Sequence, residues 1–376
     1  MSATMLAVRK MKPDRGLELQ EVPRPRIGVE DVLVYVEAAS ICGTDLHIWQ
    51  WDAWSQRRIK PPLTLGHEFA GTIVEVGEKV RSAAVGDFVS AESHVTCGIC
   101  YQCRTGQAHM CPQTQILGVD RDGAFAHYVA VPEKVIWQNN REKIPPQIAT
   151  LQEPFGNAVF ATMGQQVSGL SVAVMGCGPI GLFTIGICKA LGAKAVYATD
   201  LNPFRMNLAR TMGATQVFDP SKDGDVVKSI VGVNHGYGVD LVLEMSGAPS
   251  AINAAFRVVR NGGQVTLFGI PSKPVEIDVA EMMIFKNLTV RALNGRQIFD
   301  TWYKTRWLLE DRIVNLQPLI TRTVKLSEVS EAVQELQGGE ACKIVVLPND
   351  GKPAPLPAVR RERTPDPNIE GRVVHR

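Results

Sequence analysis

The chain has 376 residues, which is more than one compact core usually holds and enough for two domains. Hydrophobic residues make up 45% of it and charged residues 21%, a composition typical of an ordinary soluble globular protein, which by itself excludes little. The net charge of the chain is +2. Residues 351–376 hold six basic and three acidic side chains and contribute +3, so the net charge of residues 1–350 is −1. Residues 1–350 therefore lack the excess of basic side chains expected for binding nucleic acid or anionic membranes.

The N-terminal segment Met1–Lys10 predicts a first β-strand, because it lacks the basic region and the long apolar stretch of a signal peptide. No apolar run in the sequence approaches the length needed to span a bilayer. We therefore expect a cytoplasmic protein that binds neither nucleic acid nor membranes.

Residues up to about 155 predict a small, largely antiparallel β-barrel or sandwich. Short apolar–polar alternations are separated there by Gly, Pro and Asp, as in Asp31–Glu37, Gly71–Gly77 and Gly86–Ala91.

From Ser171 the pattern changes to strands that alternate with helices. The strand-like runs are Ser171–Met175, Ala195–Asp200, Val239–Met245 and Gly263–Gly269, and the later runs follow helix-like stretches. This alternation predicts a doubly wound parallel sheet.

After Asn294 two helix-like segments, Thr301–Glu310 and Leu326–Leu336, and a last strand, Lys343–Leu347, are expected to return to the first domain. The tail that follows is rich in Pro and Arg without apolar periodicity, so we expect disorder there. Ile369–Arg372 resembles an engineered protease-cleavage site, and a non-native tail is therefore an alternative.

A glycine-rich turn between a predicted strand and a predicted helix indicates a dinucleotide site. Gly176, Gly178 and Gly181 permit a tight turn, close approach of a pyrophosphate and close packing of the helix on the sheet. Asp200 ends the next strand, where it would accept hydrogen bonds from ribose hydroxyls and repel a 2′-phosphate. Arg205 could receive such a phosphate or could stack over the adenine, but NAD is the better prediction.

Four of the eight cysteines lie within fifteen residues, spaced Cys97-x2-Cys100-x2-Cys103-x7-Cys111. In an intracellular chain this clustering favours a metal site over disulfides. Four thiolates with no open position describe a structural, tetrahedral zinc site, and an iron–sulfur cluster is the alternative.

A second set of ligand-type side chains is dispersed. Cys42, His67 and Glu68 are of the kinds that bind catalytic zinc and leave one position open for water or substrate. The alternative from the residues alone is a small buried cysteine and a hydrogen-bonded core histidine.

The segment Gly66-His67-Glu68-x2-Gly71-x5-Gly77-x2-Val80 resembles the signature of the zinc-containing medium-chain alcohol dehydrogenases. The four-cysteine loop and the glycine turn follow in that family's order, and the resemblance extends from the N-terminus to about Leu347. Within the family, the branch that oxidises L-threonine is the most similar, in the stretches Ile41–Gln56, Glu153–Ala158, Glu244–Pro249 and Gly295–Tyr303.

The resemblance implies an α/β fold in which a GroES-like, mainly β catalytic domain accompanies a Rossmann doubly wound parallel sheet. The implied boundaries are residues 1–155 for the catalytic domain with a structural zinc lobe at about 94–112, 156–294 for the Rossmann domain, 295–348 for a segment completing the catalytic domain, and 349–376 for the tail.

The resemblance also implies two zinc ions and one NAD per chain, and oxidation of the 3-hydroxyl of L-threonine to 2-amino-3-oxobutanoate. Cys42, His67 and Glu68 would bind catalytic zinc, with Glu153 nearby as an exchangeable ligand or proton-relay group. Thr44 and His47 would carry the alcohol proton to solvent. The implied cofactor contacts are Ile180, Asp200, Arg205, Phe268, Gly269, Ile270, Leu293 and Asn294.

His94 would approach the amino-acid end of the substrate, or it could be a histidine buried at the domain seam. The resemblance further implies a homotetramer. Two departures from the family pattern stand out: Cys177 replaces a small residue in the glycine turn, which could expose a thiol to oxidation, and Phe160 replaces an expected histidine.

Two other functions remain open from the sequence. One is a sibling dehydrogenase acting on a polyol or a diol such as sorbitol or 2,3-butanediol. The other is a non-enzymatic zinc- and nucleotide-binding protein.

Overall fold

The computed structural model of the chain describes residues 3–356, so residues 357–376 of the expected tail lie outside the described residues. Within that range no helix is long and apolar enough to cross a membrane.

Eighteen β-strands are present in the part of the chain that the structure describes. They are β1 Thr4–Lys10, β2 Glu18–Pro23, β3 Asp31–Ser40, β4 Leu63–Thr64, β5 Glu68–Val76, β6 Phe88–Ala91, β7 His94–Val95, β8 Gln115–Ile116, β9 Tyr128–Pro132, β10 Ile136–Gln138, β11 Ser171–Met175, β12 Ala195–Thr199, β13 Gln216–Phe218, β14 Val239–Glu244, β15 Val259–Leu267, β16 Thr289–Ala292, β17 Ile320–Lys325 and β18 Lys343–Leu347.

The α-helices are mostly short. They are α1 Gly43–Gln50, α2 Ala53–Arg58, α3 Tyr101–Arg104, α4 Pro146–Ala149, α5 Gln152–Met163, α6 Pro179–Ala190, α7 Pro203–Thr211, α8 Val226–Val233, α9 Pro249–Val258, α10 Asp300–Glu310 and α11 Val329–Gly338. A single π-helical turn spans Ala280–Ile284.

The first structural unit is strand-rich and mostly antiparallel. Its main sheet has the order β10-β6-β5-β3-β18-β17, with β9 also paired to β3, and a smaller sheet has the order β2-β1-β4. The last strand of the chain, β18, pairs with β3 and with β17, so the C-terminal segment lies inside this sheet. Its core includes Val34, Phe69, Phe125 and Ile344, all fully or almost fully buried.

The second unit is a six-stranded parallel sheet of order β13-β12-β11-β14-β15-β16. The order reverses between β12 and β14, with β11 at the centre, which is the arrangement of a doubly wound sheet. Apolar side chains fill both faces, because helices α5 and α6 cover one side and α8 and α9 the other. The predicted fold class, a parallel α/β sheet beside a mainly β unit, is confirmed.

Two element boundaries differ from the sequence-based prediction. The strand predicted at Gly263 begins four residues earlier, at Val259. The helix predicted at Leu326–Leu336 divides into a 3-10 turn at Leu326–Glu328 and helix α11, which Gly339 ends in the left-handed conformation at φ +76°. Apolar spacing could not separate these two forms, because both helices place residues three apart on the same side.

Candidate active site

Three ligand-type side chains from two segments of the chain meet in the first unit. Cys42 immediately precedes α1, His67 precedes β5, and Glu68 is the first residue of β5. One ligand atom from each lies within 4.8 Å of the others, and His67 and Glu68 are buried. Gly66 has φ +92°, and a Cβ there would meet the backbone nitrogen of Phe125 at 2.8 Å, so only glycine permits the turn that presents His67.

The chemistry of this cluster fits a bound zinc ion. Sulfur, imidazole and carboxylate form the mixed donor set of open zinc sites. Glu68 Oε1 and His67 Nδ1 are buried and have no hydrogen-bond partner among the described residues, which is costly unless something satisfies them. Burial lowers the pKa of His67, but the charge and hydrogen bond of Cys42 and the charges of Asp45 and Glu153 together raise that pKa to about 10. The cluster therefore attracts positive charge.

The second oxygen of Glu68 is held by the last strand. Lys343 Nζ lies 2.5 Å from Glu68 Oε2 and donates also to the carbonyl of Ile41 at 2.9 Å, and Ser40 donates to the same carboxylate. Both Glu68 and Lys343 are buried, so the pair has little water around it. This leaves Oε1 as the oxygen of Glu68 that is free for a ligand.

The two residues of the predicted proton relay lie on α1. Thr44 Oγ1 is 3.8 Å from Cys42 Sγ, beside the candidate metal cluster. His47 is one turn further, with 59% of its side chain exposed, and its Nδ1 lies 2.7 Å from Asp52 Oδ2. The helix thus connects the cluster to solvent.

Glu153 lies in the first turn of α5 and is buried. Its Oε1 accepts hydrogen bonds from Ser93 at 2.5 Å and from Arg296 at 2.6 Å, so it does not cap the turn that follows it. Burial raises the pKa of Glu153, but the Arg296 guanidinium and then the charge of His67 lower it overall. The charge of Glu153 therefore interacts both with Arg296 and with His67 of the candidate metal cluster.

His94 lies beside this carboxylate, at the start of β7. Its Nδ1 is 2.9 Å from Glu92 Oε1, and 24% of its side chain is exposed. Glu92, His94 and Glu153 each bring one ligand-type atom within 4.8 Å of the others, but Arg296 already pairs with both carboxylates.

The glycine turn has the shape of a phosphate cradle. Gly176 has φ +95°, and a Cβ at Gly181 would lie 2.0 Å from the carbonyl oxygen of Gly176. A Cβ at Gly178 would meet nothing within 4 Å, so this position leaves open space in front of the N-terminus of α6. Pro179 occupies the first turn of that helix, where its missing N–H is not needed.

Asp200 faces the same turn from the end of β12. Its Oδ2 accepts a hydrogen bond from the backbone N–H of Cys177 at 2.7 Å, and its Oδ1 accepts one from Asn202 at 2.8 Å. Arg205 follows in the first turn of α7. Cys177 is fully buried, so the expectation that its thiol could be exposed to oxidation is wrong, because the side chain points at the carbonyl of Thr199.

Of the remaining predicted cofactor contacts, Ile180 lies in the first turn of α6. The others follow parallel strands, where α/β proteins bind their ligands. Phe268, Gly269 and Ile270 follow β15, and Leu293 and Asn294 follow β16. A cavity of about 560 Å³ opens there, lined by Leu293 and Asn294 and also by residues of the cysteine lobe and of α5, namely Gln107, His109, Met110 and Phe160. Phe160 packs edge-on against the ring of His109 at 5.4 Å.

The four clustered cysteines converge as their spacing predicts. Their sulfur atoms lie within 4.8 Å of one another, with Cys97 Sγ 3.6 Å from Cys111 Sγ and 4.0 Å from Cys103 Sγ. A tetrahedron with Zn–S bonds of about 2.3 Å has edges of about 3.8 Å. Burial raises the pKa of Cys111, but backbone N–H donors lower it to about 6, which favours the thiolate. All eight cysteines are free of disulfides.

Sequence reasoning missed four residues that the fold brings to these clusters. Lys343 holds Glu68, and Glu92 and Arg296 surround Glu153. Asp45 is fully buried and accepts a hydrogen bond from the backbone of Cys42 at 2.9 Å. The only sequence signal was the spacing of Cys42 and Asp45, which is that of a capping box at a helix start.

Known families match both structural units. The model of the alcohol dehydrogenase GroES-like domain matches residues 28–141, and the model of zinc-binding dehydrogenases matches residues 179–310. An L-threonine 3-dehydrogenase from Symbiobacterium thermophilum is 45% identical over 350 residues, which are 93% of this chain and 99% of the relative. One from Pyrococcus abyssi is 46% identical over 92% of this chain and 99% of the relative.

Solved structures of other dehydrogenases are also similar. A zinc-binding dehydrogenase from Sinorhizobium meliloti bound to NADP has a TM-score of 0.85 at 31% identity, covering 92% of this chain and 100% of its own. The 2R,3R-butanediol dehydrogenase from Bacillus subtilis has a TM-score of 0.83 at 29% identity, with the same coverage.

Proposed function

Because this chain belongs to the family of zinc-binding alcohol dehydrogenases with a GroES-like domain, we propose that it oxidises the 3-hydroxyl of L-threonine to 2-amino-3-oxobutanoate and reduces NAD. The observation that carries the proposal is the convergence of Cys42, His67 and Glu68. These residues lie in a chain that is similar to an L-threonine 3-dehydrogenase over 93% of its length. Two zinc ions per chain accompany this function, one at that cluster and one at the four cysteines.

Oxidation removes a hydride from C3 and a proton from the oxygen attached to it. Cys42, His67 and Glu68 would hold a zinc ion, which would supply a Lewis acid for that oxygen, and the glycine turn would hold NAD, which would supply the hydride acceptor. Thr44, beside Cys42, takes up the hydroxyl proton, and His47 at the far end of α1 releases it to solvent. Asp52 pairs with His47 and orients its ring.

Most of the proposed cofactor contacts are residues that come directly after strands of the parallel sheet. The space in front of Gly178 would receive the pyrophosphate, and Asp200 would accept hydrogen bonds from the ribose hydroxyls. Leu293 and Asn294, which line a cavity, would contact the nicotinamide, and His94, paired with Glu92, would contact the substrate. We place the protein, as a homotetramer, in the cytoplasm.

The proposal is tested by following NADH absorbance with L-threonine, sorbitol and 2,3-butanediol as substrates. We expect the highest kcat/KM for L-threonine. A preference for 2,3-butanediol would instead support the second candidate function, a diol dehydrogenase, which the likeness to the Bacillus subtilis structure favours.

Cys42→Ser should reduce kcat by at least about a hundredfold, because the metal loses its thiolate, while NAD still binds. Cys188→Ala is the matched control, since Cys188 is buried in α6 away from both cysteine sites. Unchanged turnover in Cys42→Ser would remove Cys42 from the metal site. Elemental analysis giving one zinc per chain in the unmodified protein would favour the non-enzymatic alternative.

A further inference from the structure

Arg296 is a buried arginine at the seam between the two structural units. It follows β16 of the parallel sheet by four residues, and 2% of its side chain is exposed. Its partners come from the other unit and from α5. They are Glu92, just after β6, and Glu153, in the first turn of α5.

The geometry of this cluster is that of a clamp on two carboxylates. Arg296 Nε donates to Glu92 Oε2 at 2.7 Å, and its NH2 group donates to Glu92 Oε1. The same NH2 group donates to Glu153 Oε1 at 2.6 Å. Trp302 of α10 donates its indole N–H to Glu92 Oε2 at 2.8 Å and so fixes the anchoring carboxylate. A planar guanidinium can hold both carboxylates in one orientation, whereas an ammonium group cannot.

Stability alone gives no reason for this arrangement. Two carboxylates and one guanidinium are removed from water, and such buried ion groups commonly stabilise a fold no better than apolar side chains would. A buried arrangement of this kind is instead suited to fixing a functional carboxylate.

Glu153 is the carboxylate that remains available. Glu92 uses both oxygens within the cluster, but Glu153 uses only Oε1, and its Oε2 accepts no hydrogen bond from the described residues. Its charge interacts with that of His67 in the candidate metal cluster. Because Arg296 and Ser93 hold Oε1, they set the orientation of the Glu153 carboxylate.

We propose that Arg296 is a positioning residue for the oxidation, which acts on the substrate only through the orientation of Glu153. This inference rests on the proposed function. Arg296 lies two residues after Asn294, which lines the cavity at the end of β16. The segment that follows β16 therefore contributes both to the proposed cofactor cavity and to the contact with Glu153.

Arg296→Lys tests the inference because it keeps the charge and removes the bidentate fork. We expect kcat to fall about 10- to 100-fold, as for residues that orient metal-site groups, while the dissociation constant of NAD changes less than about twofold. Arg141→Lys is the matched control, since Arg141 makes a bidentate pair with Glu37 at the surface and should keep full activity.

A double-mutant cycle with Glu153→Gln separates positioning from a merely structural role. If Arg296 acts through Glu153, Arg296→Lys should lower kcat by less than about twofold when Glu153→Gln is already present. The same loss in both backgrounds would overturn the inference. Glu92→Gln keeps the size of the side chain that binds Arg296 but weakens the ion pair. It should therefore show the same non-additivity with Glu153→Gln. This variant replaces Arg296→Lys in the cycle if Arg296→Lys does not fold.

A crystal structure of Arg296→Lys gives a readout that does not depend on turnover. Glu153 should take another rotamer, and an unchanged Glu153 would contradict the inference. If the unmodified enzyme oxidises none of the tested alcohols, the proposed function fails, whereas an active enzyme with additive variants refutes only the role of Arg296.

Discussion

At the scale of single residues, two carboxylates of the candidate site, Glu68 and Glu153, are each oriented by a buried cation. Lys343 occupies one oxygen of Glu68, and Arg296 occupies one oxygen of Glu153. In each case a buried cation fixes one oxygen of a carboxylate. The second oxygen of Glu68 is buried and has no hydrogen-bond partner among the described residues. Such supporting contacts orient groups that bind metals or substrates.

Asp200 is the residue that we expect to decide between NAD and NADP. Asp200→Ala should lower the ratio of kcat/KM for NAD to that for NADP by about tenfold, because the carboxylate no longer accepts bonds from the ribose or repels a 2′-phosphate. Steady-state kinetics with both cofactors measures this ratio.

Asp311→Ala is the control for that change, since Asp311 is a half-exposed aspartate that follows α10. If Asp200→Ala left the ratio of the two cofactors unaltered, Asp200 would not lie at the ribose.

At the scale of elements, short helices and loops carry the site while strands hold it in place. The end of β3 and the start of β5 are paired, with Ser40 opposite Glu68, so Cys42 and Glu68 approach from adjacent strands. The cysteine lobe between β7 and β8 has little regular structure of its own, only the four-residue helix α3 and a 3-10 turn at Ala108–Met110. A lobe with so few apolar contacts needs another source of stability.

Cys100→Ser should destabilise this lobe before it affects the chemistry. The loss of one thiolate weakens a bound zinc, and we expect a fall of about 5 °C in the melting temperature and the loss of one zinc per chain. Differential scanning calorimetry with elemental analysis measures both quantities.

Ile99→Ser is the control in the same loop, because 79% of Ile99 is exposed and it is not a ligand. A melting curve for Cys100→Ser that matches this control, with zinc content lowered, would show that the metal does not stabilise the lobe.

At the scale of the whole molecule, the two units are joined by more than the covalent chain. Strand β18 returns into the sheet of the first unit, and Asn202, at the start of α7, donates to the carbonyl of Gly339 at the end of α11 at 2.9 Å. Arg296 adds a third connection at the seam. These contacts hold the glycine turn and the metal cluster in one arrangement.

The proposed homotetramer belongs to this scale. The segment between β15 and β16 exposes Ile284 and Phe285 by 65% and 71%, an apolar surface that association would bury. Light scattering should give a mass about four times the 41.1 kDa of the chain. Phe285→Ser should shift the mass towards smaller species, and Tyr237→Ser, at an exposed loop of the same unit, should not. A monomeric mass for the unmodified protein would contradict the proposal.

Features whose residues lie close together along the chain were predictable from residue order and type. The spacing of the four cysteines, the glycine turn with Asp200, and the alternation of strands and helices all depend on local geometry, and the strand Lys343–Leu347 was predicted with the bounds that the structure has. The dispersed set of Cys42, His67 and Glu68 was suggested by residue type and by the family signature, not by spacing.

Only the tertiary structure decided which side chains support these groups. Lys343 is 275 residues from Glu68, and Arg296 is 204 residues from Glu92. Nothing near either cation in the sequence marks it as buried, because burial and pairing are set when strand β18 and the segment after β16 pack against the other unit. The charge of a side chain is local information, but the loss of water around it is a property of the whole fold.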